Sequence, residues 1–122
     1  MSEHSEQAAL FRWAAMQSKS IPALALLLAI PNGGARSLTT GGRLKAEGVK
    51  AGVPDIVLPV PRGSYASLWI ELKRPATHKQ GKGRVSKEQK EWINALRLHG
   101  NRAEVAYGWG HAMEMIMVYL GI

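Results

Sequence analysis

The chain has no cysteine among its 122 residues, which excludes a disulfide framework, a zinc–thiolate centre and a cysteine nucleophile. Its four histidines, His4, His78, His99 and His111, show no metal-ligand spacing. Acidic residues are few: nine Asp plus Glu stand against sixteen Lys plus Arg, for a formal net charge of +7. That balance favours a polyanion as partner. Long apolar runs are missing as well. The longest, Ile21 to Ile30, contains Pro22 and is too short to span a bilayer, so no membrane partner is expected. No charged, apolar and small-residue leader opens the sequence, and the expected location is the cytoplasm. Gly41-Gly42 lacks the lysine and strand context of a phosphate loop, so no nucleotide cofactor is expected.

What is present reads as a folded domain. Hydrophobic residues make up 46% of the chain and recur with regular periodicity, which argues against a basic tail. The length suits a single domain over residues 1–122 with one core. A second catalytic unit would therefore come from another chain.

The most informative stretch runs from Val53 to Lys73. Ile56 to Val60 is apolar and β-branched, Leu68 to Leu72 alternates, and a Pro-Arg-Gly-Ser-Tyr connection separates them, which predicts a hairpin. Trp69, Glu71 and Lys73 share one face of the second strand, and Leu68, Ile70 and Leu72 share the other. With Pro61 to Tyr65 as the loop, the antiparallel register places Asp55 directly across from Glu71. Paired residues on one face have β-carbons roughly 5 Å apart, so two carboxylates and an ammonium converge at one end of the hairpin. Two such carboxylates repel unless neutralised. Hard divalent cations take carboxylate and carbonyl oxygens and keep several waters. This makes Asp55, Glu71 and the Leu72 carbonyl candidate ligands of Mg²⁺ or Mn²⁺. Lys73 then either orients a water or stabilises charge on a phosphorane. The alternative at this level is an ordinary hairpin with a surface Glu71–Lys73 pair.

Pro54-Asp55 followed by Glu71-Leu72-Lys73 resembles the PD-(D/E)XK signature of restriction-endonuclease-like nucleases. A wider order of motifs adds to it: Asn32-Gly33-Gly34, Lys45 to Asp55, Ile70-Glu71-Leu72-Lys73-Arg74-Pro75, then Ser86, Gln89 and Trp92, and Gly100. That order is similar to the VRR-NUC family, the virus-type replication-repair nucleases, in its small stand-alone phage and bacterial form. The resemblance runs from about Glu6 to Tyr107.

Glu3 to about Lys19 reads as an amphipathic helix with Ser2 as N-cap and a stripe of Glu6, Leu10, Trp13, Ala14 and Gln17. A first-turn Glu is favourable at the positive end of a helix, which explains Glu6 structurally. The resemblance implies instead an acidic residue on the first helix beside the metal, matched to Glu6. Leu24 to Ile30 reads equally as a buried strand or a continued helix, and Asn32-Gly33-Gly34 as a turn. Leu44 to Ala51 predicts a short helix ended by Gly52. Arg36, Arg43 and Lys45 lie on a polar segment able to approach a phosphate backbone, or simply to be solvated. Arg74, Lys79, Lys82 and Arg84 form the most basic stretch, directly after Lys73, where positive charge would meet DNA. Ser86 to Gln89 fits a capping box, a complete structural account of Gln89. In the resembled nucleases a Gln here lies at the catalytic site, and both readings stand. Gly100 closes that helix and Arg102 to Tyr107 alternates as a strand. Met113, Ile116, Met117 and Leu120 form the apolar face of a last helix, a patch for the core or for a dimer interface.

The expected class is α/β with a restriction-endonuclease-like core: helix, strand, helix, two hairpin strands, helix, strand, helix, around a central mixed sheet flanked by helices. The resemblance implies a Mg²⁺- or Mn²⁺-dependent deoxyribonuclease in the bacterial host cell or nucleoid if phage-encoded. It would act as a homodimer on branched DNA such as Holliday junctions. Asp55, Glu71, Lys73, Glu6 and Gln89 would form its site. A flap or restriction-like nuclease, or a catalytically idle DNA-binding module, are the alternatives.

Overall fold

The computed structural model describes residues 2–31 and 38–122. The turn expected at residues 32–34 and the candidate DNA contact Arg36 lie outside the described residues. The elements follow in the order α1 (Glu3–Gln17), a 3-10 turn (Pro22–Leu26), β1 (Leu28–Ala29), α2 (Leu38–Ala46), β2 (Ile56–Leu58), β3 (Leu68–Lys73), α3 (Lys87–Leu98), β4 (Arg102–Tyr107) and α4 (Trp109–Leu120). The four strands form one mixed sheet in sequence order. β1–β2 and β2–β3 are antiparallel and β3–β4 is parallel, so the α/β expectation holds.

Local chemistry explains most of these boundaries. Ser2 caps α1 by accepting from Ser5 N at 3.1 Å, with Glu3 and Glu6 in the first turn. Ser86 and Gln89 complete a capping box on α3, and Gly100 beyond its end takes a φ of 87°. α2 departs from the expected Leu44 to Ala51 span: it starts at Leu38 and ends at Ala46. The stop is Gly48, with φ 99°, whose N–H reaches Lys45 O while Val49 N reaches Leu44 O. That hydrogen-bond pair is the Schellman arrangement. Gly52 serves close packing instead. At φ 90° it lies so near the Glu88 backbone that a β-carbon would fall 2.6 Å from it.

The ambiguous Leu24 to Ile30 run resolves into the 3-10 turn followed by an exposed two-residue edge strand. In the hairpin, Ile56 faces Ile70, Val57 faces Trp69 and Leu58 faces Leu68, the register expected from the loop length. Arg62 and Tyr65 exchange backbone hydrogen bonds across Gly63, whose φ is 57°.

The core gathers Leu10 and Ala14 of α1, Ile56 and Leu58 of β2, Leu68, Ile70 and Leu72 of β3, and Ala112, Ile116, Tyr119 and Leu120 of α4. Tyr119 anchors α4 by donating from its hydroxyl to Val60 O at 2.7 Å. Ile116 is fully buried in this core, so the α4 face expected as an apolar patch is covered there within the protomer. Among the described residues no helix is long and apolar enough to cross a membrane.

Candidate active site

The hairpin ladder stops where the charged residues begin, and Pro54 removes one donor from its continuation. Continued past Ile56–Ile70, the register sets Asp55 across from Glu71 and Pro54 across from Leu72. Pro54 has no N–H, so it offers the Leu72 carbonyl no ladder hydrogen bond. The Leu72 N–H donates to the Asp55 side chain, at Oδ2, at 2.9 Å. Asp55 is also fixed from β1, because its carbonyl accepts from Ile30 N at 2.7 Å. The strand end thus holds one carboxylate rigidly and leaves a carbonyl pointing to the same side.

Glu71 and Lys73 are both buried, at 2% and 8% exposure. Charged residues are rarely buried so deeply without partners. Lys73 Nζ stands 3.8 Å from Glu71 Oε2, while Glu71 Oε1 is buried with no hydrogen-bond partner among the described residues. Burial pushes the Glu71 carboxyl from 4.5 up to about 9, helped by the hydrogen bond and charge of Asp55 and by Glu3, with Lys73 opposing. Desolvation and a like charge both disfavour the anion, and one ammonium does not offset them.

That imbalance tests whether a divalent cation fits. With one ammonium 3.8 Å from Glu71 Oε2, an unpartnered Oε1 and a second carboxylate beside it, the cluster is short of positive charge, which a hard divalent cation would supply. Among the described residues no three His, Asp or Glu side chains group as a metal site. Asp55, Glu71 and the Leu72 carbonyl, the candidates read from the sequence, are oxygen donors of the kind Mg²⁺ or Mn²⁺ would take: such ions use one or two carboxylates and keep waters for phosphate.

Glu6 is 5% exposed, and its Oε2 accepts from Trp109 N at 3.0 Å. The residue before Trp109 is Gly108, which has no side chain to cap α4, and Glu6 supplies that anion from α1. Gln89 lends its Oε1 to Ser86 N at 2.8 Å, the capping-box role. Among the basic residues, Arg43 and Lys45 are exposed in the last turn of α2. Lys79, Lys82 and Arg84 are exposed, and Arg74 is half-buried with its guanidinium on the Gly81 carbonyl.

Several neighbours of the site were not singled out from sequence. Glu3, the first residue of α1, bears on Glu71 electrostatically. Gly83 is buried where a β-carbon would fall 3.3 Å from Glu3 Oε1 and from Lys73 Cβ and Cδ. Tyr107 pairs with Lys73 across the parallel strands. The available signals were a glycine inside a basic run and a tyrosine ending the alternating last strand.

A family model described as the VRR-NUC domain matches residues 2–109. A solved structure described as a "VRR_NUC domain protein" superposes with a TM-score of 0.83 at 28% identity, covering 99% of this chain and 89% of that chain. No curated protein matches the chain. With a matching family model over most of its length and the Asp55, Glu71 and Lys73 constellation at the end of its hairpin, the chain belongs to the VRR-NUC family, a nuclease domain of the PD-(D/E)XK type that acts on DNA.

Proposed function

We propose that the protein is a divalent-metal-dependent DNA endonuclease, selective for branched DNA such as four-way junctions, that works as a homodimer. The observation carrying the chemistry is the orphaned Glu71 Oε1, buried beside Lys73 and across from Asp55. Asp55, Glu71 and the Leu72 carbonyl would hold Mg²⁺ or Mn²⁺, with Glu6, oriented by the Trp109 N–H, contributing through water. When bound, such an ion lowers the pKa of a coordinated water and polarises the phosphodiester.

The remaining work falls to the chain's own groups. Lys73 is held by burial within reach of Glu71, so its ammonium is preorganised to orient the attacking water or to stabilise charge developing on the phosphorane. Asp55 is locked by the Leu72 N–H and does not reorganise during the reaction. Gln89, at the start of α3, assists through its amide nitrogen while its oxygen serves the cap. Arg43, Lys45, Arg74, Lys79, Lys82 and Arg84 carry the positive charge that draws in the backbone. A basic domain with one such site makes one cut, and a two-fold pair matches the two-fold symmetry of a junction.

The test is cleavage of labelled four-way junction, flap and linear duplex side by side, with and without Mn²⁺. Paired nicks in the junction only with metal are expected, from a species of twice the 13.3 kDa chain mass in light scattering. Preferential cutting of flap or linear duplex would overturn the junction assignment. Metal-independent binding with no cleavage of any substrate would reduce the protein to a DNA-binding module.

A further inference from the structure

A second cluster, outside the carboxylate site, stands beside Lys73. Lys73 and Tyr107 pair across the parallel β3–β4 ladder, so their side chains rise on the same face from strands about 4.8 Å apart. Lys82 Nζ lies 4.7 Å from the centroid of the Tyr107 ring. His111 stacks against the same ring at 6.4 Å between centroids and 17° between planes. Its Nδ1 accepts from Tyr107 N at 3.0 Å. His111 is exposed, and its stacking and this hydrogen bond brace the Tyr107 ring from the first turn of α4.

Lys82 is held differently from an ordinary surface lysine. Its neighbour Gly83 is buried against the Lys73 stem and donates from its N–H to Arg74 O at 3.1 Å. On the other side the Arg74 guanidinium grips the Gly81 carbonyl. Both flanking glycines are therefore tied to the end of β3, and the Tyr107 ring receives the ammonium through a cation–π contact. The result is a cation held over an aromatic ring, one strand away from Lys73.

We propose that Lys82, positioned by Tyr107, forms a subsite for a single DNA backbone phosphate neighbouring the one that is cut; the assignment of that neighbour rests on the nuclease reading above. Lys82 supplies the charge, and Tyr107, stacked against His111, is a positioning residue. The subsite would set which phosphodiester comes to Lys73, so it bears on cut position as well as affinity.

The experiment is a metal-free binding scan with a short labelled duplex in which one phosphate at a time is replaced by a neutral methylphosphonate. Wild-type protein should show a position where neutralisation weakens binding about two- to five-fold, the scale of an exposed ion pair. Lys82→Gln and Tyr107→Leu should be indifferent at that position, and their double variant should be no worse than either alone. Tyr107→Phe keeps the ring and should restore the position-specific loss. Equal losses at that position in wild type, Lys82→Gln and Tyr107→Leu, or additive effects of the two substitutions, would overturn the subsite. The nuclease reading fails separately: wild-type protein that cuts no DNA with Mn²⁺ sinks it whatever the scan shows, whereas cutting with a flat scan sinks the subsite alone.

Discussion

Replacing Glu71 by Gln removes a carboxyl that the metal-free fold holds in a costly environment, and the resulting gain in stability can be worked out with its sign. In the folded protein this group titrates near 9 instead of 4.5. Between those values the native state holds a proton that the unfolded chain has lost, so stability falls as pH rises through the window. Below 4.5 both states are protonated and the penalty vanishes; above about 9 it is complete. At pH 7, some 2.5 units above the unfolded value, about 1.4 kcal/mol per unit gives about 3 kcal/mol. At about 4 °C per kcal/mol for a domain of this size, Glu71→Gln should melt roughly 10 °C above wild type at pH 7 without metal. At pH 4 to 5 the two should nearly coincide. Thermal denaturation across that pH series in chelator is the assay, repeated with Mn²⁺. The cation should stabilise wild type by mass action and leave the variant unchanged. Parallel pH profiles for the two proteins would refute the claim that the Glu71 carboxyl is desolvated beside Asp55. Equal Mn²⁺ stabilisation of both would place the ion elsewhere.

Lys73→Ala should reduce cleavage about a hundredfold or more while DNA affinity, measured by anisotropy, stays within about two-fold, because the ammonium acts on charge that develops in the transition state; near wild-type turnover would dismiss that role. Neutralising Lys79, Lys82 and Arg84 together should lower the slope of log affinity against log salt by up to about three, and an unchanged slope would remove this loop from the interface. Glu6→Ala should destabilise the fold by about 1 to 2 kcal/mol in urea melts, since it strips the anion from the N-terminus of α4. Glu6→Gln keeps an acceptor for Trp109 N and should recover much of that stability; a Gln variant as unstable as Ala would show that charge, not the hydrogen bond, holds the helix.

Legibility from the sequence followed the range of the interactions. The Ile56–Ile70 register could be read because alternation and a five-residue connection from Pro61 to Tyr65 leave one pairing that keeps Leu68, Ile70 and Leu72 on the core side. The Ser86–Gln89 capping box and the Ser2 cap were legible because each spans three residues. α2 was misplaced because glycine is permissive, and two candidates, Gly48 and Gly52, both end with positive φ. Only the hydrogen bonds of Val49 and Gly48 single out the one that stops the helix.

The sequence by itself determined the nuclease element: a Pro54 that removes a donor from the ladder's continuation, an Asp55 after it, and a Glu71-Leu72-Lys73 strand whose alternation puts both charges on one face. Those consequences follow from backbone geometry within two paired segments. Tertiary structure decided the environment of the charges. It buried Glu71 until its carboxyl rose to about 9, and it packed α1 on α4 so that Glu6 caps a helix 103 residues away. It also folded Gly83 onto Lys73 and enclosed Ile116 in the core instead of leaving it for a partner. Desolvation and contacts between distant segments depend on which surfaces meet in three dimensions, and the spacing of residues along a chain carries no measure of that.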